Sequence, residues 1–163
     1  MIFDTLTMYE QELVLRGFDG MTLENQNKLI SHVATKLGMS LIQVRAEHIL
    51  THHKNIKISM INESCEIAIS QGFTSTNGHK YRLNQDDQIN FLGMKNRVDD
   101  KPEMLEVMWK SEDAGYIAHT RAEWLKVQEE AFDHKLTQLM KYNEKFTAIS
   151  TATDHPIIVA TKW

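Results

Sequence analysis

A chain of 163 residues, 42% apolar and 25% charged, holds enough material for one sizeable core or two small ones. Its net charge of −4 provides no global basic field for nucleic acid, and its single cysteine, Cys65, excludes an intramolecular disulfide. No apolar run approaches the ~18 residues of a membrane span, and the opening residues, with Asp4 and Glu10, lack the basic start and cleavage site of a signal peptide, so a soluble product of a reducing cytoplasm is expected.

Leu6, Tyr9, Leu13 and Phe18 predict a first short helix, ended by Gly17 and Gly20. Thr22 caps a second helix with Leu23, Leu29, Ile30, Val33 and Leu37 on one side, and Gly38 stops it. Ser40 and Gln43 form a capping-box pair expected to open a third helix running to about His53. Lys54 to Ile58, polar with scattered isoleucines, reads as a joint between modules. Ile58, Ile61, Cys65, Ala68 and Ile69 then fall at helical spacing and are closed by Gly72. The Asn77-Gly78 turn signal pairs Phe73–Ser75 with His79–Leu83 as a small hairpin. Asn84 caps a further helix whose first turn carries Asp86 and Asp87, favourable at the positive end of its dipole. This helix includes Ile89, Leu92 and Val98 and stops near Pro102.

Met104 to Trp109 is rich in strand formers, Ser111 to Gly115 supplies turn chemistry, and Thr120 with Glu123 forms a second capping box at the start of a long helix. Alternation with Leu105 and Val107 places Trp109 on the core side of the hairpin. On the long helix, Leu125, Phe132, Leu139 and Phe146 recur at intervals of seven, with Leu136 between them. Two readings of this row stay open: a coiled-coil seam for trimerisation or docking on a fibre, or the core-facing stripe of an amphipathic helix. After a polar linker from Ser150 to Asp154, the strip Ile157, Ile158, Val159 through Trp163 is β-prone. Such a strip either adds to the sheet edge of a neighbour or pairs with its own domain. The partner-binding candidates are therefore Leu125, Phe132, Leu139, Phe146, Ile157, Ile158, Val159 and Trp163.

Catalytic and metal chemistry find less support in the pattern. Ala34, Gly38 and Val44 have helix-turn-helix spacing, which would send a helix from Ser40 into a major groove with Gln43 and Arg45 as its readers. One arginine is a sparse phosphate footprint, so nucleic acid is not the expected partner. His48 and His52 lie four apart with His53 beside them, yet no third ligand stands at a diagnostic spacing, and solvated helix-end histidines are expected rather than a zinc site. Cys65 falls on an apolar stripe as a small core residue, and His119 has no nucleophile or carboxylate partner at a recognisable spacing. Asp86-Asp87 and Asp99-Asp100 lack the ligand ladder of a calcium loop. No catalytic, cofactor or metal residue is assigned, and a non-enzyme is expected.

The stretch Trp109-Lys110, Asp113-Ala114-Gly115-Tyr116-Ile117 and His119-Thr120-Arg121-Ala122-Glu123 resembles a domain recurring in bacteriophage tail and tail-fibre-associated proteins. Ile61 to Ile69, Gly72 to Ser75, Tyr81, Asp86 to Gln88 and Asn90 to Gly93 follow in the order that domain uses, as do His134-Lys135 and Lys141-Tyr142. The resemblance spans Lys54 to Phe146 and departs at Asn143, where the family often shows an aromatic. It implies a virion context and no chemistry: a tail, baseplate or fibre-attachment subunit in a symmetric multi-copy assembly with other tail proteins, made in the host cytoplasm. A tail-fibre assembly chaperone is the alternative within that context, and a helix-turn-helix regulator the alternative of another class. The expected fold is α+β and mainly helical. A helical connector spans residues 1–53, a domain of helices around a small antiparallel sheet spans 54–149, and a linker and tail span 150–163.

Overall fold

A computed structural model describes residues 1–163. The chain is a mainly helical α+β protein of seven helices and two two-stranded antiparallel sheets. It divides into two compact units: Met1–Ser64 with Lys141–Trp163, and Cys65–Met140.

The first unit begins with α1 (Ile2–Thr5) and α2 (Met8–Arg16). At the start of α2, the Thr7 hydroxyl accepts from the Glu10 amide while Glu10 Oε2 accepts from the Thr7 amide at 3.0 Å, a reciprocal box that the sequence reading did not contain. Thr22 caps α3 (Leu23–Leu37), and Gly38, at φ +64°, accepts the left-handed conformation that ends it. Leu13, Val14, Met21, Leu29, Val33, Ile49 and Ile56 form the first core cluster.

Helix α4 (Ala46–Gln71) runs for 26 residues without interruption, so the expected joint at Lys54 to Ile58 does not exist. The reason is packing: Ile56 and Lys57 are buried, and Lys54 Nζ donates to Ser150 O at 2.9 Å. The expected boundary at 53/54 thus falls inside a helix, and the compact units part at 64/65. The helix also starts later than expected. Ser40 and Gln43 do form their box, but on a 3-10 turn (Leu41–Gln43), and the Arg45 amide donates to His48 Nδ1 as α4 begins.

The terminal strip is helical rather than extended. Asp154 Oδ1 accepts from the Ile157 amide, and Pro156, whose missing N–H costs nothing in a first turn, helps open α7 (His155–Ala160). Local β-propensity loses to burial here. Ile158 is wholly enclosed with Ile61, Ile149 and Ala152, against partly buried Tyr142 and Trp163.

The second unit places β1 (Phe73–Thr74) beside β2 (Lys80–Tyr81), joined through the expected Asn77-Gly78 turn. Asn84 and Asp87 form a capping box on α5 (Gln85–Asp100). Strands β3 (Glu106–Ser111) and β4 (Gly115–Thr120) pair from Glu106↔Thr120 to Ser111↔Gly115. Asp113 fastens the two hairpins together, taking the Lys80 amide at 2.8 Å and His79 Nδ1 at 2.8 Å; those two bonds hold its carboxyl down to about 2. His119 is likewise accounted for. Its Nδ1–H donates to Ile117 O, leaving Nε2 to accept from the Tyr81 hydroxyl at 2.7 Å.

Helix α6 (Arg121–Thr151) is opened by the Thr120–Glu123 box and buries Trp124, Val127 and Ala131. Trp109 is partly buried on the expected face, with its ring 4.7 Å from Phe91 and 5.4 Å from Trp124. Leu105 precedes β3 and is exposed, so the core face of that strand is Val107, Trp109 and the fully buried Ser111.

Candidate functional site

The core-facing row of α6 in the second unit is Trp124, Val127 and Ala131, at spacings of three and four. Residues one position further round the helix therefore turn outward. Phe132 is 62% exposed, Leu136 44% and Leu139 41%, which overturns the reading of this row as a core stripe. Leu125, at its start, is half-buried.

Between α5 and α6, Phe132, Leu136 and Leu139 form one wall of an apolar groove of about 230 Å³, with Phe91 and Leu92 opposite. Its polar lining is Gln88, Gln128 and Lys135, and the Lys135 ammonium is tied to the Gln88 amide oxygen. The volume lies below the roughly 300–1,000 Å³ of typical small-molecule sites. No nucleophile and base face each other in it.

The remaining partner candidates lie in the first unit. The Phe146 ring lies 5.9 Å from that of Tyr142, tilted against it, and keeps 39% exposure. Among the terminal four, Ile158 is fully buried, Val159 partly so, and Trp163 lies beneath the Lys141 ammonium at 4.4 Å. Only Ile157 is exposed. A strip so anchored has no free edge to lend to another sheet.

A wider cleft of about 740 Å³ separates α5 from the β3–β4 hairpin. Arg82 on its rim is already paired with Asp87, at 2.8 and 3.5 Å, while Met108 and Tyr116 are exposed beside it. Arg97 and Lys110 share its lining with Glu112.

The helix-turn-helix candidates are displaced from the positions a reader would need. Gln43 spends its side-chain oxygen on the Ser40 amide and hydroxyl, Arg45 precedes α4, and Leu41 and Ile42 are exposed.

The histidines depart furthest from expectation. His52 and His53 are 5% and 0% exposed rather than solvated, because the inward face of α4 carries them into the first unit. His53 Nδ1 lies 2.9 Å from His155 Nδ1, and the two rings stack at 5.2 Å. His52 Nε2 lies 3.1 Å from Glu10 Oε1, and His32 Nε2 lies 3.5 Å from the same oxygen. Burial lowers the His52 pKa, partly opposed by its bond to Glu10. Burial also resists ionisation of Glu10, but Thr7, His52 and His32 together outweigh it and hold that carboxyl below its usual range. Glu10 and His32 had no sequence signal linking them to His52, since 21 and 19 residues separate the three in order.

No helix is long and apolar enough to cross a membrane. No curated protein and no solved structure matches the chain. Residues 52–161 match the family described as a domain of unknown function (DUF4376), a stretch running from within α4 to the end of α7. The chain therefore belongs to the DUF4376 family.

Proposed function

We propose that this chain is a non-enzymatic phage virion protein, a tail, baseplate or fibre-attachment subunit, and that the α5–α6 groove is where it holds its neighbour. The observation that carries the attachment surface is the outward row Phe132, Leu136 and Leu139. Positions i, i+4 and i+7 make one continuous ridge on a helix, the pattern that accepts the knobs of a second helix. The occupant is accordingly an apolar helix face of another tail protein, seated along α6 with its side chains entering the groove toward Leu92. The shallow volume favours such a helix over a small ligand. The virion context rests on the resemblance of Lys54 to Phe146 to the tail-associated domain, within the stretch matched by the family.

Mass spectrometry of purified mature particles tests this reading. Presence of the chain in fixed ratio to other tail proteins is expected. Detection in infected-cell lysate but never in particles would overturn the subunit reading in favour of an assembly chaperone.

A further inference from the structure

Three helices of the first unit each deliver one ligand-bearing side chain to a single point: Glu10 from α2, His32 from α3 and His52 from α4. Their ligand atoms all lie within 4.8 Å of one another. We infer that Glu10, His32 and His52 bind a divalent transition-metal ion of the zinc class, cross-linking α2, α3 and α4.

The two distances from the carboxylate to the imidazoles are those of a coordination sphere. Donors bound to tetrahedral zinc at about 2.0–2.1 Å stand about 3.3 Å from each other. Glu10 Oε1 lies 3.1 Å from His52 Nε2 and 3.5 Å from His32 Nε2, close to that edge, while the two imidazoles stand within 4.8 Å of each other, so an ion draws the histidine rings together by up to about 1.5 Å. Two imidazoles and a carboxylate form a donor set suited to zinc, with the fourth position left to water.

The outer shell is also built. Glu10 Oε2, the oxygen turned away from the histidines, accepts from the Thr7 hydroxyl at 2.7 Å and the Thr7 amide at 3.0 Å. His32 Nδ1 lies 3.2 Å from the Tyr9 hydroxyl, which orients the ring with Nε2 toward Glu10. Such bonds fix the rotamer and tautomer of metal ligands. Without an ion, His52 donates Nε2–H to Glu10 Oε1, and His32 Nε2 faces the same oxygen at 3.5 Å. With an ion, each neutral ring carries its proton on Nδ1, and His32 then donates to Tyr9, so no net proton is released. His52 and Glu10 are buried, while His32 is about a third exposed beside a surface depression that Asn27, Ser31 and Thr35 line, which gives an ion its approach.

The test is titration of the metal-depleted full chain with Co2+ and then Zn2+. One equivalent of Co2+ is expected to give the visible ligand-field absorption of a tetrahedral nitrogen and oxygen site, bleached by one equivalent of Zn2+, and Zn2+ is expected to raise Tm. His32→Gln alters the least buried ligand and Glu10→Gln retains a residue able to complete the Thr7 box, so both should keep their far-UV circular dichroism. Each is expected to bind at least roughly tenfold more weakly and to lose the Zn2+ shift in Tm. His48→Gln and His79→Gln, which alter histidines outside the cluster, should leave the Co2+ spectrum intact. A spectrum unchanged in folded His32→Gln, or no saturable band in the wild-type chain, would falsify the site and leave the trio as a hydrogen-bonded core cluster.

Discussion

His53 Nδ1 and His155 Nδ1 meet at 2.9 Å across 102 positions of sequence, joining α4 to the first turn of α7. One ring must donate and the other accept. His53 Nε2 is buried without a partner, so the arrangement that orphans no donor places the proton on His53 Nδ1 and leaves Nε2 as a bare lone pair. Burial, aided by His155 and Lys57, holds the His53 pKa down to about 3. An unfolded histidine titrates near 6.5, so below that pH the unfolded chain binds the additional proton. The stabilisation is present in full above pH 6.5 and is lost as pH falls toward 3, at about 1.4 kcal/mol per pH unit for one proton. Burial lowers His52 and His155 as well, adding slope of the same sign. Urea unfolding between pH 6.5 and 5.5 separates these imidazoles from Glu10, whose own lowered pKa takes effect as the pH approaches 4.5. His53→Gln is expected to flatten that slope by one proton's worth; an unchanged slope contradicts the assignment.

Lys57 is 4% exposed, and burial with the nearby Lys162 charge pulls its pKa to about 8. At neutral pH the folded protein must still keep that ammonium charged in a poor environment. Lys57→Met, which retains the stem and removes the charge, is expected to raise stability at pH 7 by about 1 kcal/mol or more. The gain should shrink as pH rises above 8, where wild-type Lys57 sheds its proton. A loss of stability at pH 7 in denaturant titration would show that the ammonium has a partner worth more than its burial costs.

Gly72 ends α4 at φ +75°, and a Cβ there would sit 1.8 Å from Tyr81 O. That atom is backbone in β2 and cannot move without breaking the hairpin register. Gly72→Ala is expected to cost at least about 2 kcal/mol, measured by thermal or urea unfolding. Gly78, also at positive φ, has open space around it, and its alanine variant should show the smaller conformational penalty alone.

Phe132→Ser with Leu139→Ser removes apolar surface that the folded chain leaves in water. Tm should change little, while on the proposed attachment role incorporation into particles should be lost. A large fall in Tm would mean that these side chains stabilise the fold rather than an attachment.

Legibility followed the range of the interaction. Caps and turns that depend on a few neighbours were readable: Thr22, Gly38, Asn84, Thr120 with Glu123, and Asn77-Gly78 all stand where their local chemistry places them. Partners distant in sequence were not. The polar look of Lys54 to Ile58 concealed an inward face because its neighbours come from afar: Ile56 packs on residues some twenty to forty positions earlier, and Lys54 and Ile58 meet residues about ninety positions later. Ile157 to Val159 carries strand propensity, but the Asp154 cap and burial of Ile158 decide for helix. The seven-residue row on α6 was visible, whereas which side of the helix meets the core depended on Trp124, Val127 and Ala131 finding Phe91 and the β3–β4 hairpin. Glu10, His32 and His52 carry no motif because helix packing, and not chain proximity, brings them together.

The division of the chain also sets an order of events during synthesis. Cys65–Met140 is a single uninterrupted stretch, complete as soon as Met140 has left the ribosome. The other unit is discontinuous: Ile61 finds Ile149, Ala152 and Ile158 only after another eighty or more residues have been made. The later-starting segment is thus positioned to finish folding first, and α1 to α3 must wait, part of their apolar surface uncovered, for α7 to arrive.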